Sequence, residues 1–305
     1  MQIHVEGVDR LRLADGSPVR AASAVTPFGD GFLVAQDDAT HGAWFRSRPA
    51  DAVRLLPAVD GLDVFENASG TKHLKPDLEA ACAVDVDGAP AVLLLGSGSL
   101  AARMRWSLLR LVAGRPEALV TDMAPLYAAV ADALAIPPEV LNLEGACLVG
   151  DVLRWYHRGI PAAGVPAGSV DLEPAAAVAA ALGRTPPGSV AVSNPRHYTL
   201  GEVDGVGLGI TDAVALADGT VLLSAAAEDS PNPRDDGPVV GSALVRLDDH
   251  LVRDMTPLPL VDGRVCKVEG LMVLDADPVS TRLLAVVDVD EPDVPSLAMR
   301  LRVRH

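Results

Sequence analysis

Apolar residues along this chain fall in short runs, many of them closed by a turn-forming pair such as Asp15-Gly16, Asp30-Gly31, Asp87-Gly88 or Asp218-Gly219. That punctuation predicts many short strands joined by hairpins. Four of the runs share a pattern in which an acid leads and small or apolar residues follow: Glu79 to Val84, Glu144 to Val149, Asp212 to Ala217 and Glu269 to Leu274. A fifth, Ser23 to Phe28, has serine in the acid's place. A second apolar strand follows each one, at Phe32 to Ala35, Ala91 to Leu95, Val152 to Tyr156, Thr220 to Leu223 and Leu283 to Val287. The chain is therefore a repeat whose units each open with a hairpin.

The leading residues stand at 23, 79, 144, 212 and 269. Two of the longer units contain alanine-rich stretches without internal Gly or Pro, Leu126 to Leu134 and Glu173 to Leu182, which read as helical insertions. Without them each unit shrinks toward the ~40 to 50 residues of a four-stranded propeller blade. Outer strands are expected at Trp44 to Ser47, Trp106 to Val112, Tyr198 to Val203, Ala243 to Leu247 and Leu297 to Val303, with a further strand at Val8 to Leu13. The fold expected is all-β: a single domain over residues 1–305, a five-bladed β-propeller with short helical insertions, closed by the amino-terminal strand joining the last blade. A six-bladed ring and a β-sandwich are the alternatives, but a sandwich gives no reason for an acid to recur at one point of each unit.

The innermost strand of a propeller blade lines the central channel, so equivalent positions converge on one ring. Here the ring is Ser23, Glu79, Glu144, Asp212 and Glu269. Clustered carboxylates raise one another's pKa unless a cation intervenes. Oxygen donors without His or Cys select a hard ion, calcium first, with magnesium or manganese as alternatives. The other reading leaves the acids as hydrogen-bond partners for strand-end amides and channel water. Cys82 and Cys147, at matching repeat positions, read as small buried hydrophobes.

The order Ser, Glu, Glu, acid, Glu around five blades resembles the calcium-activated nucleotidases, five-bladed apyrases with an axial calcium. The segment Val34-Ala35-Gln36-Asp37-Asp38-Ala39-Thr40-His41-Gly42 is similar to that family's Asp-Asp-x-Thr-Gly motif, with His41 as an extra residue. The Glu144-Gly145 and Glu269-Gly270 blade starts also resemble esterase-like phytases and uncharacterised bacterial propellers. The resemblance covers the two inner strands of each blade. It implies an axial calcium and a phosphoanhydride or phosphate-ester substrate.

Charge narrows the ligand. Forty-one acidic against 25 basic residues leave a net charge of −16, which disfavours nucleic acid and acidic membrane surfaces. Three cysteines, no basic-then-apolar leader and no apolar run near the ~18 residues of a membrane span suggest a cytoplasmic protein, and its length suffices for a monomer. Polar residues flanking the inner strands are the candidate chemistry. Asp37 and Asp38, Glu228 and Asp229, and Asp288 and Asp290 follow second strands. The loop Gly70 to Asp77 concentrates Lys72, His73 and Lys75 just before Glu79, with Arg103 and Arg105 as weaker basic candidates. The expectation is a metal-dependent hydrolase of a small anionic molecule. In it, Asp37 or Asp38 orients water, His73 carries a proton, and Lys72 and Lys75 hold the substrate with Glu228 and Asp288. A lactonase or carboxylesterase, and a non-catalytic binding scaffold with a structural calcium, are the alternatives.

Overall fold

A computed structural model describes residues 1–229, 237–291 and 293–304. Strand β1 (Gln2–Arg10) is followed by blade 1, β2 (Ala22–Phe28), β3 (Gly31–Gln36), β4 (His41–Phe45) and β5 (Asp51–Arg54). Blade 2 is β6 (Leu78–Val86), β7 (Ala89–Gly96), β8 (Arg105–Val112) and β9 (Arg115–Asp122). Helix α1 (Ala124–Leu134) then leads to blade 3, β10 (Leu143–Val149), β11 (Val152–His157) and β12 (Ala167–Leu172), with α2 (Pro174–Ala181) before its last strand β13 (Val192–Tyr198). Blade 4 is β14 (Glu202–Val203), β15 (Val206–Ala215), β16 (Val221–Glu228), β17 (Val239–Asp248) and β18 (Leu251–Pro257). Blade 5 comprises β19 (Lys267–Ala276), β20 (Ser280–Asp288) and β21 (Leu297–Arg304), and β1 completes it in the order β1-β21-β20-β19. All five sheets are antiparallel meanders, and the architecture is a five-bladed β-propeller.

Closure works as the sequence predicts. β1 pairs with β21 from Gln2 opposite Arg304 to Arg10 opposite Leu297, so the two ends of the chain lie in one sheet. The joint to blade 1 is sewn by the Leu11 amide on the Ser296 carbonyl (2.9 Å) and the Ala22 amide on Ser296 Oγ (3.1 Å).

Both helical insertions are present. The buried face of α1 (Leu126, Tyr127, Val130, Ala131, Leu134) covers the seam of blades 2 and 3, where Trp155 meets Trp106 at 5.3 Å and Tyr127 at 4.9 Å between ring centroids. The tryptophans are packing groups, and all three cysteines are free and buried. One expected strand is divided: β13 ends at Tyr198, and Glu202–Val203 belongs to the next blade, because the chain changes sheets through Gly201 at φ +97°. Strand β12 goes unforeseen, since α2 separates it from its partner β13.

Each innermost strand carries a register shift at the same place. The interruptions fall between Ala22 and Ala24, Leu78 and Ala80, Leu143 and Gly145, Ile210 and Asp212, and Val268 and Gly270. The bulged residues are thus Ser23, Glu79, Glu144, Thr211 and Glu269. A bulge re-aims a side chain out of the ladder. The glycine that follows two of the glutamates has a steric cause: a Cβ on Gly270 would lie 2.9 Å from Val25 N, and one on Gly145 2.9 Å from Ala213 N, both in the neighbouring blade's inner strand.

Candidate functional site

Four of the five bulged residues, Ser23, Glu79, Glu144 and Glu269, line one cavity of about 370 Å³ at the mouth of the ring. A volume of that order suits a small molecule. The fourth ring position is a correction to the sequence reading, which placed Asp212 there. Thr211 is the bulged residue, and its hydroxyl donates to the Val268 carbonyl (2.5 Å) just as Ser23 Oγ donates to the Leu78 carbonyl (2.5 Å). Asp212, one residue on, is buried and accepts the Leu271 amide (2.6 Å), tying blade 4 to blade 5. The error arose because Asp212 is acidic and Thr211 is not, whereas the bulge register fixes the equivalence.

The mouth acids are interleaved with basic groups. Arg158, at the end of β11, reaches Glu144 (3.2 Å) and Glu228 (2.7 Å). Lys267, at the start of β19, reaches the same Glu228 (3.0 Å) and Glu269 (2.9 Å), so one chain of alternating charge crosses blades 3, 4 and 5. Asn142 Nδ2 donates (2.5 Å) to the same Glu144 oxygen, Oε1, that Arg158 reaches. On the facing side, Lys75 contacts Asp37 and Asp77 (2.6 Å), and Arg103 Nη1 donates to Asp77 (2.9 Å). Arg20 bridges Asp38 (2.6 Å) and Glu66 (2.7 Å). Glu79 lies between these groups and makes no hydrogen bond or ion pair among the described residues. Oxygens of Asp37, Asp77 and Glu79 gather within 4.8 Å of one another. Among the described residues the cavity lining holds ten carboxylates and six basic side chains, a formal excess of four negative charges.

Burial and crowding set the protonation pattern. Burial pushes Glu144 up to about 7 against the pull of Arg158. Glu79 is pushed well above the ordinary carboxylate range by burial, then by Asp77 and Asp37. Burial, with Asp290 and then Asp37 adding to it, lifts Asp288 to about 8. Asp38 rises to about 6, through burial and the neighbouring Asp37. For Asp77 burial acts upward too, but Lys75 and Arg103 outweigh it and hold the group at about 2. A site with both protonated and ionised carboxyl groups at neutral pH has the raw material for acid-base chemistry.

A family model described as "Family of unknown function (DUF6910)" matches residues 71–292. The chain belongs to this family. That span of the DUF6910 protein contains Lys75, Glu79, Glu144, Arg158, Lys267 and Glu269, most of the mouth. No curated protein matches the chain. Solved structures of similar shape include MPT-1, a GDP-Man-dependent mannosyltransferase from Leishmania mexicana (TM-score 0.48, 11% identity, 99% of this chain and 90% of that one). Others are a protein of unknown function from Dyadobacter fermentans (0.43, 12%, 99% of each chain) and the β-propeller domain of Nup133 from Vanderwaltozyma polyspora (0.42, 6%, 97% and 85%). Identities this low say nothing about chemistry.

The structure brings together Asp37, Asp38, Lys72, Lys75 and Asp288 with the ring glutamates around the cavity of this DUF6910 protein. Glu228 is buried behind it, held by Arg158 and Lys267. His73 is the outlier: it is exposed and absent from the cavity wall, because the 3-10 turn Lys72–Leu74 points it outward while Lys75 turns in. Asp229 is exposed as well. Arg103, a weak candidate in the sequence, is 6% exposed and clamps Asp77.

Several site residues escape the sequence reading: Arg20, Asp77, Asn142, Arg158 and Lys267. A signal for them exists in the repeat. Asp77, Asn142 and Lys267 each stand two residues before a ring glutamate, and Arg158 follows a second strand as Asp37 does. A search restricted to acids passes over them.

The five-residue axial calcium set is not assembled here. Among the described residues its acids do not converge: Asp212 is displaced, and Glu144 and Glu269 each have a basic partner. The smaller set of Asp37, Asp77 and Glu79 has the oxygen chemistry that a hard cation needs.

Proposed function

We propose that the DUF6910 protein is a divalent-cation-dependent hydrolase, cytoplasmic and monomeric, whose mouth cavity takes a small molecule bearing an anionic group, a phosphate ester or phosphoanhydride first among them. One observation carries this reading: three carboxylates from two blades converge within 4.8 Å at the wall of a cavity of about 370 Å³. Asp37, Asp77 and Glu79 would hold the ion, calcium first and magnesium or manganese next. When bound, the ion supplies Lewis-acid polarisation and charge neutralisation. The protein's own groups do the rest. Lys72 lies on the same wall, where it can hold the anionic group of a ligand. Asp288, on the cavity wall and lifted to about 8, keeps a proton at neutral pH and can give it to a leaving oxygen.

The experiment is a turnover screen of phosphate esters, nucleotides and lactones with metal-stripped protein, before and after calcium, magnesium or manganese is restored. Turnover that is lost on stripping, regained on addition and abolished by Glu79→Gln supports the proposal; turnover indifferent to metal and to Glu79 refutes it. A second reading, a binding scaffold, is favoured by the ion pairs that Arg158 and Lys267 make with Glu144 and Glu269. It is supported if the same substitutions change only the melting temperature.

A further inference from the structure

Lys75 enters the mouth from the loop before β6 and sets its ammonium on Asp37 and Asp77, the latter at 2.6 Å. These are two of the three carboxylates that converge within 4.8 Å, and the lysine side chain is only 13% exposed. An ammonium and a divalent cation make the same demand on a carboxylate pair, which is lone pairs and negative charge. They cannot share it, because like charges at contact distance in a poorly solvated site repel strongly. Two further observations show that this end of the cavity has acceptor oxygens to spare. The Glu79 side chain has no ion pair or hydrogen bond among the described residues, and Asp38, 8% exposed on the same wall and paired with Arg20 through Oδ2, has an Oδ1 without a hydrogen-bond partner. Lys267 offers an internal comparison. It bridges Glu228 and Glu269, neither of which belongs to the converging trio.

We infer that Lys75 is a built-in competitor for the cation: its ammonium holds Asp37 and Asp77 in the resting protein, and a divalent ion enters only as Nζ leaves them for the cavity. The inference rests on the proposed cation site and adds its regulation. A displaced Lys75 ammonium would face the cavity, so loading the ion would also prepare a group to pair with an anionic substrate. By linkage, an anion that pairs with the displaced lysine would tighten the ion.

The test is calorimetric titration of calcium and of manganese into the wild-type chain, Lys75→Gln and Lys267→Gln, each first shown to melt cooperatively. It is paired with acetylation footprinting of wild-type lysines by mass spectrometry, with and without saturating calcium. The expected result is at least a tenfold tighter Kd in Lys75→Gln, no tightening in Lys267→Gln, and several-fold faster acetylation of Lys75 with calcium present. Equal affinity in wild type and Lys75→Gln overturns the competition while leaving the cation site standing. Binding by Lys75→Gln alone upholds the competition and removes the ion from the wild-type mechanism. No binding by either protein overturns both. Should Lys75→Gln fail to fold, Lys75 acetylation that calcium leaves unchanged overturns the inference by itself.

Discussion

Arg158 is the most exacting place to test whether the mouth is held by charge. Its guanidinium bridges Glu144 and Glu228, and the three side chains are 14%, 7% and 3% exposed. Arg158→Met keeps much of the aliphatic stem and removes the charge. Glu228 retains Lys267 and the Gly237 amide (3.1 Å), whereas among the described residues Glu144 keeps only the Asn142 side chain. The loss therefore belongs at the low end for breaking a buried ion pair, about 3 kcal/mol. For a chain of this length that is roughly 5 °C in Tm. The pH dependence separates charge from packing. Glu144 is pushed up to about 7 even with Arg158 in place, and without it would go higher. A carboxyl group whose folded pKa lies above its unfolded value of ~4.3 destabilises progressively as pH rises between the two, because the folded state binds more protons. At pH 5 Glu144 is protonated with or without Arg158, so its share of the loss disappears; at pH 8, above the wild-type value of about 7, that share is present. Urea unfolding of wild type, Arg158→Met and Glu144→Gln/Arg158→Met at both pH values reads this directly. The single variant should lose clearly more at pH 8 than at pH 5, and the double variant should recover part of the pH 8 loss. An equal loss at both pH values would show that Arg158 acts through packing and would refute the charge argument.

The bulge assignment predicts that Thr211→Val costs about 2 kcal/mol in urea unfolding, the worth of its two hydrogen bonds to the Val268 carbonyl and Ser224 Oγ, and that Asp212→Asn leaves the Kd for calcium unchanged. Gly270→Ala should lose about 1 to 3 kcal/mol through overpacking against blade 1, while Gly188→Ala, whose added methyl meets nothing nearer than Pro125 at 3.4 Å, should be tolerated. His73→Ala should leave cation binding and any turnover at wild-type levels, since the side chain is exposed and away from the cavity wall. Removing residues 1–10 exposes the β21 edge, and size-exclusion chromatography should then show aggregation or swapped oligomers in place of the wild-type species.

The architecture was legible because its causes are local and periodic. Asp-Gly turns mark hairpins, recurring inner strands mark blades, and the alanine-rich runs over α1 and α2 name themselves by composition. What remained hidden depends on contacts between blades. The break after Tyr198 is a change of sheet, which no single segment encodes. The role of Gly145 and Gly270 follows from backbone in the next blade, and the inward turn of Lys75 follows from its contact with Asp37 in blade 1. Basic residues were hidden for a different reason: Arg158 and Lys267 occupy repeat positions that hold other residue types in other blades, so alignment by residue type could not find them.

The displaced fourth ring member also changes what the ring means. Where the bulged residue is a hydroxyl, as at Ser23 and Thr211, it donates to the neighbouring blade and asks for nothing more. Where it is a carboxylate it must find positive charge or keep a proton. Glu144 finds Arg158, and Glu269 finds Lys267. Glu79 has a lysine close by, but Lys75 is drawn off by Asp37 and Asp77. The protein's own cations therefore satisfy two ring glutamates and leave the third short. Glu79 is the point in the mouth where a ligand from outside has the most to contribute, and for that reason Glu79→Gln, rather than a substitution at Glu144 or Glu269, most directly separates a working site from a closed ring of ion pairs.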